Sequence, residues 1–150
     1  MKPFRFALAR LLWLRGIRER EQARSLGEAM RGEQEQRDAL TRAHEGLDRA
    51  GEQVDGATAS VRPAGAVRNL RLTLQAAAIA ADAAEESHRA SLESVAREQT
   101  RFGAARTDKR VLEKLRDKRR EGWQQDSTRQ EQRESDDLSE ARRQSRREEP

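Results

Sequence analysis

Few side chains in this sequence are suited to chemistry. His44 and His88 are the only histidines, and there is no cysteine. An imidazole can ligate a metal or carry a proton, but a metal site needs convergent ligands. Neither histidine has a second one a helical turn away, so both read better as polar markers that set the register of a helix pair. Adjacent acids such as Glu85–Glu86 fall on solvated faces, and no glycine-rich loop of the GxGxxG or Walker type is present to cradle phosphate. Catalysis is not expected, nor is a metal or cofactor. What remains is the chemistry of charged surface: 31 Lys and Arg against 27 Asp and Glu, a net of +4.

The elements that carry these charges must be built from little apolar material. Hydrophobic residues make up 34% of the 150, charged residues 39% and aromatics 3%, with no tyrosine. That composition cannot fill a thick core, and it leaves either a disordered polyampholyte or long helices that bury a narrow stripe. The most apolar stretch holds Leu8, Leu11, Leu12, Trp13 and Leu14, interrupted by Arg5, Arg10 and Arg15. It is too short to span a bilayer and lacks the form of a secretory signal. No acid precedes Glu19, a trait of transit peptides, but the helical pattern runs on past it. The absence of cysteine fits a reducing cytosol.

Periodicity favours the helices. Pro63, followed by Gly65, is the only strong break inside the chain. The pattern predicts one all-α domain: a helix over about 4–58, a turn over about 59–65 and a helix over about 66–146. In the first helix Leu26, Leu40, Leu47, Val54 and Val61 share one heptad position, with Glu33 the exception; Met30, Arg37, His44, Gly51 and Thr58 form a poorer companion row. In the second helix Leu70, Ala77, Ala84, Ser91, Glu98, Ala105, Leu112 and Arg119 share one row, and Leu74, Ala81, His88, Val95, Phe102, Lys109, Arg116 and Trp123 share its partner. Apolar residues recurring every 3.5 positions face one partner helix. A short turn makes that partner the other half of the chain, in a long antiparallel two-helix coiled-coil hairpin with Leu47 near Ala81 and Val54 near Leu74. Six glycines in the first helix weaken it. Beyond Trp123 the rows turn polar (Gln130, Asp137, Gln144), so the C-terminal tail is expected to be helical by propensity alone and to fray.

Charge is uneven. Residues 1–24 hold seven basic and two acidic side chains, and residues 109–120 again hold seven and two, whereas residues 25–105 hold ten and thirteen. A hairpin about residue 64 brings the two basic blocks together.

Those two blocks also carry a resemblance. Phe4-Arg5-Phe6-Ala7-Leu8-Ala9-Arg10-Leu11-Leu12-Trp13-Leu14-Arg15, then Glu19-Arg20-Glu21, resembles the start of the flagellar export protein FliJ family. Val111-Leu112-Glu113-Lys114-Leu115-Arg116-Asp117-Lys118-Arg119-Arg120 is similar to that family's second characteristic stretch, and an Arg/Glu/Gln-rich tail follows in both. The first helix is richer in glycine than the family pattern, and the family's tyrosines near the turn are missing. The resemblance implies a stalk-like protein of flagellar type III export, on the cytoplasmic face of the inner membrane and without insertion into it. Its partners would be the hexameric export ATPase FliI, the export gate protein FlhA and export chaperones. The ATPase ring would meet Phe4, Leu8, Leu11, Leu12, Arg15, Leu115, Arg116, Arg119 and Arg120. The gate would meet Gln36, Leu40, Ala43 and Leu47 on the first helix, with Leu70, Leu74, Ala77 and Ala81 on the second. Other readings are the equivalent stalk of a virulence injectisome, a self-associating coiled-coil scaffold, and a binder of anionic lipid or nucleic acid. Nucleic acid is the least expected, because stacking aromatics are scarce.

Overall fold

The computed structural model of the chain describes residues 3–60 and 62–148; Val61 therefore lies outside it, as does Pro150, and the side chain of Gln144 is not described. Two helices account for nearly all of it: α1, Ala9–Thr58, and α2, Ala64–Glu148. They pack against each other in an all-α helical hairpin with no strand among the described residues.

Both ends of the turn have local causes. The last carbonyls of a helix lack intrahelical partners. Here the Thr58 hydroxyl donates to the Asp55 carbonyl at 2.9 Å and the Ser60 hydroxyl to the Gly56 carbonyl at 3.0 Å. Pro63 then opens α2 rather than merely interrupting the chain: its carbonyl accepts from the Ala66 amide at 3.0 Å, and its missing N–H falls where a helix needs none. Gly65, expected in the turn, lies inside α2. At the other end α1 starts at Ala9, five residues later than predicted. Phe4 stays outside the helix, with its ring centroid 6.1 Å from that of Trp123 and tilted 51° to it. An aromatic contact across the pair replaces one more helical turn. The tail is helical as far as Glu148, with Ser127–Glu131 and Gln130–Glu134 hydrogen bonds at i,i+4 spacing along it.

The chain divides into two compact units. In the turn-side unit, Arg20–Ala104, the seam is narrow and made of small residues. Ala50 is 6% exposed, Val54 9%, Ala57 2% and Ala81 3%. The row that joins Leu26, Leu40, Leu47 and Val54 in the α1 seam is thus Ala29, Gln36, Ala43, Ala50 and Ala57. The expected companion row, one residue further on, lies at the edge of the seam or outside it: Met30 is 53% exposed, and the His44 side chain 48%. Backbones that approach closely select the position bearing the smaller side chain. The α2 rows follow the prediction through this unit.

The terminal unit, Met1–Glu19 with Ala105–Pro150, buries Ala105 to 4% exposure and also Gly16. Arg119, expected on the α2 seam, is exposed.

Candidate docking surfaces

Polar residues on the seams and along their edges meet one another across the pair. In the turn-side unit the His88 Nε2 lies 2.9 Å from the Glu33 Oε1, and the His44 Nε2 lies 3.0 Å from the Glu85 Oε1. In the terminal unit Lys109 donates to Glu19 at 2.7 Å and Arg15 donates to Asp108 at 2.7 Å. Both histidines are therefore taken up by carboxylates across the pair. Among the described residues no group of three or more His, Cys, Asp or Glu is placed to hold a metal ion. The grooves between the helices are shallow and open, one of them lined by Ala29, Gly32, Ser87 and Ser94.

The terminal unit brings the two resembling blocks side by side. Arg15 joins Asp108 across the pair, which fixes one edge of it. Leu11 sits one turn before Arg15, and Leu115 two turns after Asp108, so helical periodicity puts both on that edge. Leu14 and Val111 follow at three-residue spacing from Leu11 and Asp108. Leu11, Leu14 and Val111 are 39%, 48% and 59% exposed, and Leu115 is half-buried. Arg119, one turn after Leu115, is exposed, as is Arg120. The result is an apolar centre with cations beside it.

The other residues expected at this surface divide. Phe4 is half-buried against Trp123, and Leu8 and Leu12 are half-buried. Arg15 is engaged by Asp108 and Arg116 by Asp117, at 2.7 and 2.8 Å. Lys109 is held by Glu19, whose hydrogen bond raises the ammonium pKa above its usual range against a smaller opposing effect of burial.

In the turn-side unit all eight residues expected to meet the export gate lie on the seam. Gln36, Leu40, Ala43, Leu47, Leu70, Leu74 and Ala77 are half-buried, and Ala81 is buried. Each packs the hairpin first and offers a partner only an edge. A second row with the same i, i+4, i+7, i+11 spacing lies two residues on: Leu72, Ala76, Ile79 and Ala83. All four are exposed, Leu72 to 56% and Ile79 to 62%. This row was missed because the heptads account for the apolar residues beside it; the available signal was an apolar residue off the seam. Trp13, 61% exposed, was missed in the same way. No helix among the described residues is long and apolar enough to cross a membrane.

The family model described as Flagellar FliJ protein matches residues 4–149. No curated protein and no solved structure matches the chain. With the match covering nearly all of the sequence, the chain belongs to the flagellar FliJ protein family, a non-enzymatic family whose members are components of the flagellar export apparatus.

Proposed function

We propose that this protein is the stalk of the export apparatus: its terminal unit docks in the ring of the hexameric export ATPase FliI, and its turn-side unit engages the gate protein FlhA. It escorts export chaperones and works at the cytoplasmic face of the inner membrane. The observation that carries the reading is the face built from Leu11, Leu14, Val111 and Leu115 with Arg119 and Arg120 beside it. It draws on both resembling blocks, and it joins apolar anchors to cations, which together give affinity and orientation in a protein lumen. On the gate side the exposed row Leu72, Ala76, Ile79 and Ala83 supports docking better than the seam row does, because a partner can cover it without opening the hairpin.

Co-purification with the ATPase tests the first half. Reversing Arg119 and Arg120 to Glu, or truncating Leu11 and Val111 to Ala, should abolish co-purification and any effect on ATP hydrolysis, with helicity unchanged. Retained binding in both variants overturns ring docking. For the gate, Leu72→Ala with Ile79→Ala should release the gate protein and leave the ATPase bound; loss of neither removes the assignment.

A further inference from the structure

One seam suffices for a helix in a hairpin, and in the turn-side unit α2 carries the makings of two. The exposed row Leu72, Ala76, Ile79 and Ala83 continues at the same spacing into Ser87, Ala90 and Ser94. Uncharged residues thus follow one another for about six turns along the outward flank of α2. All are exposed except Ser94, which is half-buried. Ala76, Ala83 and Ala90 recur every seven residues, the repeat of a coiled-coil seam. Helix propensity accounts for alanine on a solvated face. It does not account for Leu72 at 56% exposure or Ile79 at 62%. The row ends at Glu98 and Arg101, which bridge each other at 2.7 Å. Its small end borders the open groove lined by Ala29 and Gly32.

We propose that this row is the contact between two copies of the chain, related by a two-fold axis through Ala83. The row is its own complement. In an antiparallel pair centred there, Leu72 comes level with the partner's Ser94, Ile79 with the partner's Ser87, and Ala76 with the partner's Ala90. Ala83 meets itself, as a residue on the axis of an isologous interface must. Each bulky side chain is matched to a serine, and the alanines between let the two α2 backbones approach closely. Like charges do not meet at the same level: Arg97 comes level with the partner's Asn69 and Glu93 with the partner's Thr73. A row without charge gives a charged partner nothing to pair with. Such a strip, ~33 Å long and one helix wide, covers roughly a few hundred Å² per copy. That is short of the ~800 Å² per partner of a standard stable complex, so the dimer is weak and reversible. It stands independently of the stalk reading. Taken with that reading, the second copy covers Leu72 and Ile79, so the gate protein and the second copy exclude each other.

The sequence has no cysteine, so a single one introduced into the full chain reports its own neighbour. Ala83→Cys sets two thiols at the axis, within reach of a disulfide. Under mild oxidation it should link into a dimer roughly tenfold faster than Ala96→Cys, an exposed position off the row. Ser94→Cys alone should be as slow as Ala96→Cys, because the axis holds its two thiols ~33 Å apart. Sedimentation equilibrium of the unmodified chain should show a monomer–dimer equilibrium with a Kd on the order of 100 µM. Ala90→Glu should weaken it roughly tenfold or more by burying an unpaired charge, with helicity and binding of the gate protein unchanged. The proposal is overturned by a monomer at every concentration, by Ala83→Cys linking no faster than Ala96→Cys, by Ser94→Cys linking as fast as Ala83→Cys, or by full dimerisation of Ala90→Glu. Absence of gate binding in the unmodified chain leaves the dimer intact, and absence of the dimer leaves gate docking intact.

Discussion

The imidazole of His88 meets the carboxylate of Glu33 at 2.9 Å, so the acid that interrupts the α1 seam faces the histidine that interrupts the α2 seam. Their side chains are 14% and 18% exposed, and Arg37 adds a second contact to Glu33 at 3.3 Å. Truncating one partner leaves the other part-buried with its bond unmade. His88→Ala should cost about 1–2 kcal/mol in urea unfolding. Replacing both by leucine should recover that loss or exceed it, since an apolar pair of similar volume often equals a buried polar one. If the double variant is as unstable as the single, the pair does more than fill the seam.

The Lys109–Glu19 link gives a pH dependence with a definite sign. The pKa of Lys109 is raised in the folded protein by its hydrogen bond to Glu19. Stability from this pair is then fully present below the unfolded lysine pKa of about 10.4 and is lost as pH rises through the folded value. Comparing wild type with Lys109→Met across pH should show a constant difference through neutrality that disappears only in strong alkali. A difference that fades between pH 6 and 8 would point to another group.

Five glycines weaken the turn-side part of α1 without an evident packing reason. At Gly27, Gly32, Gly46, Gly51 and Gly56 a Cβ would meet no atom within 4 Å, and no glycine has positive φ among the described residues. Alanine at each should stabilise by about 0.5–1 kcal/mol through backbone entropy and helix propensity. The gains should be nearly additive in thermal unfolding of multiple variants. A loss at any one position would reveal a close neighbour there, such as a docked partner.

The Gln22 side-chain oxygen is buried and has no hydrogen-bond partner among the described residues. Such a group carries its desolvation cost unrecovered. Gln22→Met keeps the length and removes the oxygen, and it should raise stability by about 1 kcal/mol. An unchanged or lowered melting temperature would mean that the oxygen has a partner in solution, ordered water first among them.

Much of the hairpin was legible because its signals are of long range. Pro63 breaks the only continuous helical pattern, and the α2 rows repeat for five heptads through the turn-side unit, where an accidental match fails. The second α1 row was harder. Met30 attracts a reading based on hydrophobicity, yet the close approach at Ala50, Ala57 and Ala81 selects by size, which hydropathy alone does not report. The late start of α1 depends on Phe4 meeting Trp123, over a hundred residues away in sequence. Seam positions also drew the gate assignment toward Leu70, Leu74, Ala77 and Ala81. The exposed apolar residues Leu72, Ile79 and Trp13 lie off the heptads and stand out only once the partner face is known.

No large side chain falls below 2% exposure among the described residues, and alanine dominates the buried set. Unfolding therefore uncovers little hydrocarbon. Its heat-capacity increment per residue should fall well below the ~12–15 cal/mol/K of globular domains. With so little curvature, the free-energy profile against temperature is flat: calorimetry should record a broad, low-enthalpy melt, and cooling should leave the fold almost untouched.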